Sequence, residues 1–287
     1  MANRRDGIRV KNLSSMHSFI PHLLPKRCDS EVYFNVKIDM TNLIKYLDEL
    51  RKEDDYKHVT YFHLFCTSIA KIIYNRPQLN RFIINKKYYD RKDVSISFVA
   101  KRDFTEEAEE SMQTIIIKKN DNIFTISDKI NDSVKKIRTN KKHSVDKLMN
   151  FFAKSPKFVK SFITLLLRFG DKYDLLPLSI TKDLPFYSSA FVANLGSIGC
   201  GALHHHLFEF GTNSFFITIG EIKDEVVAIN GKPEVRKMCE FGLTIDERIG
   251  DGFHFVKILP LFEYMMKNPS SLEEDAGIII DIPQKNN

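Results

Sequence analysis

The sequence predicts a single α/β domain, and three observations carry that reading. Strand-type and helix-type periodicities alternate through the first two thirds of the chain. The last third reads as successive strands punctuated by glycine, followed by one helix. No linker, internal repeat or low-complexity tract interrupts the 287 residues, so one domain is the economical solution.

Composition narrows the class. Hydrophobic residues make up 43% and charged residues 28%, which excludes disorder, collagen and coiled coil as the main content. Tryptophan is absent, and 23 Phe predict a Phe-rich core. The net charge of +6 suits an anionic ligand such as a coenzyme phosphate and falls short of a nucleic-acid footprint. Cys28, Cys66, Cys200 and Cys239 are scattered without a C-x-x-C pair and read as reduced thiols. No apolar signal segment follows Met1, and Lys160 and Arg168 interrupt the most apolar stretch, Phe158 to Phe169. No integral membrane segment is expected, and the expected location is cytoplasmic.

The elements follow in order. Glu31 to Ile38 alternates as a strand, and Asp39 and Thr41 offer capping oxygens before Leu43, Ile44, Leu47 and Leu50 on one helix face. A second helix runs from Tyr61 to Asn75 and is closed by Arg76-Pro77, because the residue before proline leaves the helical region. Ile83–Tyr89 and Val94–Val99 read as the two arms of a hairpin, and Thr114–Lys118 as a further strand. Thr125 to Asn140 is an amphipathic helix with a basic end that reads as a solvated face. Leu148 to Leu176, with Phe151, Phe158, Phe162, Leu165 and Leu166, reads as core or subunit-contact helix, with a membrane-surface helix as the alternative. Ala190–Ala193, Phe215–Ile219, Glu225–Ile229 and Met238–Asp246 are strands. A last helix after Asp251-Gly252 should kink at Pro260.

Two segments are more specific. Phe191-Val-Ala-Asn-Leu-Gly-Ser-Ile-Gly199 and Leu243-Thr-Ile-Asp-Glu-Arg-Ile-Gly-Asp-Gly-Phe-His254 resemble the motifs of the acyltransferase superfamily of chloramphenicol acetyltransferase and the dihydrolipoamide acyltransferase catalytic domain. The family reads I-S-N-L-G-x-x-G at the first segment. At the second it reads D-H-R-x-x-D-G or H-x-x-x-D-G-F-H. The Lys37–Thr41 segment, the Arg76-Pro77 turn and the strands after Tyr89 come in the family's order, so the resemblance spans about Glu31 to Pro269. It implies a mixed sheet flanked by helices and a single catalytic-type domain over 1–287, with no lipoyl segment before residue 31. It further implies a homotrimer with its site between subunits, and acyl transfer from coenzyme A to a small thiol or hydroxyl acceptor. Coenzyme A or its acyl ester enters as substrate, and no bound cofactor or nucleic-acid partner is implied.

Two positions depart from the family. Its histidine, the general base, is replaced by Glu247, and its oxyanion-stabilising serine by Ala193. Losing a base costs about 10²–10⁴ in rate, and losing one oxyanion donor about 10²–10³. Glu247 can serve as base if burial lifts its pKa from about 4.3 toward neutrality; Asp246 and Asp251 would assist by repulsion and Arg248 would oppose. A catalytically silent ligand-binding or scaffold member is the competing class. Asn194, Gly196, Asp251 and Gly252 are kept, and Arg248 and Arg27 are candidate partners for Asp251.

Other residues enter as candidates. In His204-His205-His206, strand geometry would set His205 opposite its neighbours, so two imidazoles at most could share a metal, with Glu209 a third ligand. No second cluster supports a metal, and none is expected. His205 or His206 is a candidate replacement base, and Ser197 a candidate oxyanion donor whose presence turn chemistry also explains. His254 matches a histidine of the chloramphenicol enzymes and reads as a structural residue beside the substrate site. His17, His22, His58, His63 and His143 have no partner identifiable from sequence and are assigned no chemistry.

Overall fold

Alternation of strand and helix patterns resolves, in a computed structural model, into two sheets and a helical layer. Residues 3–101, 110–138, 152, 154–181, 184–250 and 252–282 are described. β1 (Gly7–Arg9) leads into α1 (Ser15–Leu23), β2 (Glu31–Asp39), α2 (Thr41–Leu50) and α3 (Tyr61–Asn75). Next come β3 (Arg81–Ile84), β4 (Lys87–Arg91), β5 (Val94–Lys101), β6 (Glu110–Ile117), α4 (Ile123–Arg138), α5 (Lys157–Lys172) and the short α6 (Leu178–Thr181). β7 (Ala190–Asn194), β8 (Phe215–Ile229), β9 (Lys232–Asp246), α7 (Gly252–Val256) and α8 (Ile258–Lys267) complete the fold.

The main sheet has the order β2-β9-β8-β7-β5-β6. β7 runs parallel to β5 and β8, and the other pairings are antiparallel, so the sheet is mixed as the resemblance implied. One face packs on α2, α3, α4 and α8 through Val192, Ile217, Ile219, Phe241 and Leu243, with Phe65 edge-on to Phe241 at 5.0 Å. The Phe-rich core is present there. α3 has the bounds read from the sequence and ends at Arg76 before Pro77.

Several boundaries differ, each for a local reason. The hairpin lies within Ile83–Tyr89, not between that run and Val94–Val99. Asn85 and Lys86 adopt φ of 50° and 59° and close a two-residue turn. β5 leaves for the main sheet, whereas β3 and β4 join β1 in a small one. The segments Phe215–Ile219 and Glu225–Ile229 are one strand, irregular between Ile219 and Ile222, and the Asn230-Gly231 turn joins it to β9. The last helix does not bend at Pro260 but breaks before it, into α7 and α8. Pro260 has no N–H for the Val256 carbonyl, and its ring crowds that turn. α5 is not a core helix of the protomer, because its Phe158, Phe162, Leu165, Leu166 and Phe169 point outward. Asp251, His143, Leu148, Phe151 and the predicted helix end at Asn140 lie outside the described residues.

Candidate functional site

The sheet face opposite the helices carries the first motif. Along β7, Ala190 and Val192 join the helical core, so Phe191 and Ala193 face the other way, against Leu207, Phe208 and Phe216. After Asn194 the chain makes a single turn, Gly196–Ile198, and leaves it through Gly199 at φ 71°. Ser197 donates its hydroxyl to the Asn194 carbonyl at 2.8 Å, so the turn engages that donor.

From Cys200 the chain crosses β8 and β9 without pairing as a strand. Glu221 N–H donates to the Cys200 carbonyl at 3.0 Å, and the Thr218 hydroxyl donates to the Leu203 carbonyl. This crossing requires glycine beneath it. A Cβ on Gly242 would lie 2.3 Å from the Leu203 carbonyl oxygen, and one on Gly220 would lie 2.6 Å from the Ala202 nitrogen. Gly220 read from the sequence as strand punctuation; both glycines let the loop lie on the sheet.

The histidine run therefore sits in a loop, so the strand geometry considered for metal sharing does not apply. His205 stacks on Phe216 at 4.2 Å and 9°, and on His206 at 4.5 Å. Its Nδ1 lies 2.7 Å from the His206 carbonyl oxygen. A carbonyl can only accept, so Nδ1 donates this bond and Nε2 is the ring nitrogen left outside it. His204 packs edge-on to Tyr33 at 5.4 Å. Glu209 accepts the Cys28 N–H at 2.8 Å, beside Arg27. Among the described residues no three His, Cys, Asp or Glu converge as a metal site.

The second motif closes β9. Asp246 is fully buried and binds Arg248 through Nε at 2.8 Å and Nη2 at 2.7 Å. Arg27 approaches the same carboxylate at 3.8 Å and donates to the carbonyls of Phe208 and Gly211. Burial lowers the Arg27 pKa from its ordinary value against the pull of Asp246. Both arginines thus answer Asp246. Asp251, for which both arginines were candidate partners, lies outside the described residues. Glu247 itself is exposed at the turn, so the burial that a carboxylate base requires is not met within one protomer. Gly252 opens α7, and His254 lies in that helix.

Strand register fixes how far apart the motifs are. Ala193 pairs with Thr218, which pairs with Gly242. Asp246 is four residues further along β9, about 13 Å at 3.3 Å per residue, and two strands across from β7. Glu247 is beyond it. Within one copy Glu247 and Ala193 do not meet.

The mixed sheet and its helical layer match the fold of solved dihydrolipoamide acetyltransferase and chloramphenicol acetyltransferase structures. A probable dihydrolipoamide acetyltransferase from Listeria monocytogenes 4b F2365 superposes with a TM-score of 0.60 at 18% identity, covering 91% of this chain and 95% of that one. Azotobacter vinelandii dihydrolipoamide acetyltransferase gives 0.61 at 12% identity, with 92% and 93% covered. A chloramphenicol acetyltransferase gives 0.50 at 9% identity, with 91% and 98% covered. No curated protein matches. Residues 10–150 match the family 2-oxoacid dehydrogenases acyltransferase (catalytic domain). The resemblance drawn from the motifs is thus borne out in fold, and in sequence over a stretch that ends before either motif.

Proposed function

We propose that this chain transfers an acyl group from coenzyme A to a small thiol or hydroxyl acceptor, on the loop-covered sheet face and with His205 as general base. The observation that carries the reading is the His205 hydrogen bond, which leaves Nε2, the proton acceptor of a neutral ring so bonded, on the face that holds Ala193. Nε2 takes the acceptor proton as the acceptor attacks the thioester carbonyl. The tetrahedral oxyanion then collapses and expels the coenzyme thiolate, which recovers the proton from the imidazolium. Ala193 offers no side-chain donor to that oxyanion, so transfer is slow relative to an ordinary enzyme. By resemblance the chain assembles as a homotrimer with the site between copies, in which Glu247, remote from Ala193 in its own copy, would reach this face from a neighbour.

Thiol release from acetyl-coenzyme A across a panel of thiol and alcohol acceptors tests this, alongside light scattering. The reading requires an oligomer, with activity lost in His205→Gln and retained in Glu247→Gln. Activity lost only in Glu247→Gln would assign the base to Glu247. Coenzyme A binding without turnover would make the chain a silent ligand-binding member, the reading favoured by Ala193 and by the engaged Ser197 hydroxyl.

A further inference from the structure

Between the end of α1, the β3–β4 turn and the last turn of α5 lies a cleft of about 640 Å³. Lys26, Arg27, Lys86, Arg168, Lys172 and Arg248 line it, against Asp171 and Glu209. Both acids are engaged: Asp171 binds Arg4 at 3.1 Å, and Glu209 accepts the Cys28 N–H. Arg27 is 4% exposed, and its Nε has no hydrogen-bond partner. Lys26, Lys86, Arg168 and Lys172 are exposed and have no acidic partner among the described residues. Lys86 approaches only His22 Nδ1, at 3.5 Å, and Lys172 lies over the Tyr173 ring.

Both helices that border this cleft present apolar stripes to solvent. On α5, at 100° per residue, Phe158, Phe162, Leu165, Leu166 and Phe169 span an arc of about 100°. Phe158 is 75% exposed and Leu165 64%. Arg168 and Lys172 occupy the adjoining arc, while the helix's single acid, Asp171, turns inward to Arg4. On α1, Met16, Phe19 and Leu23 are likewise exposed, at 64%, 56% and 60%.

We propose that this face binds an anionic phospholipid surface. The cleft takes a headgroup phosphate, and the stripes of α1 and α5 enter the boundary between headgroups and acyl chains. An anionic phospholipid surface supplies acidic groups and apolar surface side by side over this whole area. A second copy docking by a twofold contact of this face would set these cations against each other, and a copy docking by another face is an outcome the test separates. No described helix is long and apolar enough to cross a bilayer, so α5, about 24 Å long at 1.5 Å per residue, lies in the surface. The proposal stands independently of the acyl-transfer reading.

The test is flotation of the full chain with vesicles of phosphatidylcholine alone or with 30% phosphatidylserine, at low and high salt, beside calorimetry with inorganic phosphate. Binding is expected only to the anionic vesicles and should weaken with salt. Lys86→Glu with Lys172→Glu should reduce it by on the order of tenfold or more. Phe162→Ser with Leu165→Ser should do the same while the melting temperature, read by circular dichroism, stays unchanged, because both side chains are exposed. Phosphate binding without vesicle binding would overturn the proposal. So would vesicle binding that is indifferent to all four substitutions, or an oligomer that binds no vesicle and is dissociated by the Phe162 and Leu165 changes.

Discussion

Asp246 and Arg248 close on one another by two side-chain hydrogen bonds, of 2.8 and 2.7 Å, beneath the exposed Glu247 that separates them in sequence. The turn that carries Glu247 is thus built on a buried ion pair, which Arg27 joins from the other side.

Removing the shared carboxylate leaves two buried guanidinium groups without their counter-ion. Asp246→Asn should therefore cost about 3–5 kcal/mol of stability. Exchange of Glu247 for Gln, at the exposed position between them, should cost less than about 0.5 kcal/mol. Chemical denaturation of both variants checks the contrast; equal midpoints would remove the ion pair from the stability of this turn.

His63, which the sequence left without a role, completes a capping box at the start of α3. Its Nδ1 accepts the Thr60 N–H at 3.1 Å. Burial lowers its pKa from 6.5 to about 4, since the charged form would lose solvent and be repelled by His58 and Arg51. The unfolded chain binds the proton near pH 6.5 and the folded chain only near pH 4. The stability from keeping His63 neutral is thus fully present above pH 6.5 and is lost as pH falls toward 4. His63→Gln keeps an N3 acceptor without a titrating group. Its melting temperature should fall less between pH 7.5 and pH 5 than that of the wild type.

How much of this was legible in the sequence depends on the range of the interaction. α3 was readable because its apolar spacing and its Arg76-Pro77 stop are local. The His63 cap was readable too, in Thr60-x-x-His63, but only to an eye that admits His where Glu or Gln is usual. The partners of Asp246 were not readable: Arg27 is 219 positions away and arrives through the pairing of β2 with β9. Nor was the role of Gly242, because a glycine in a strand reads as an interruption until the loop lying on it is known. The long β8 was split in two by Gly220, which occupies an irregularity within one strand. Ala193 and Glu247 were paired by motif, and their separation within one copy follows only from register.

Gly242 supports the crossing loop by its missing side chain. Gly242→Ala places a methyl group against the Leu203 carbonyl and the Thr218 hydroxyl, at 2.3 and 2.7 Å. Backbone must move, at a cost of about 1–3 kcal/mol. Limited proteolysis should then cut within residues 199–206 faster than in the wild type, while Gly231→Asn, in the open turn, leaves that cleavage unchanged. An unaltered cleavage rate in Gly242→Ala would show that the loop is not held by this contact.

The chemistry of the acyltransferases that the motifs resemble supplies the last prediction. In the proposed assembly, Glu247→His with Ala193→Ser would place a base from one copy beside an oxyanion donor from another. Ala193 is half-buried beside Phe191 and Phe216, so a serine hydroxyl adds one polar atom without displacing backbone. If that face is the transfer site, the double variant should raise coenzyme A-dependent thiol release by about 10²-fold or more, the worth of one oxyanion donor. Ala193→Ser alone should then carry much of the gain, because His205 already supplies a base on the same face. Glu247→His alone should add little unless a neighbouring copy brings it there. Equal rates for the wild type and the double variant, in a protein that still binds acetyl-coenzyme A by calorimetry, would move the reaction away from Ala193. A wild-type turnover of order 10 s⁻¹ would show instead that the missing serine costs this chain nothing.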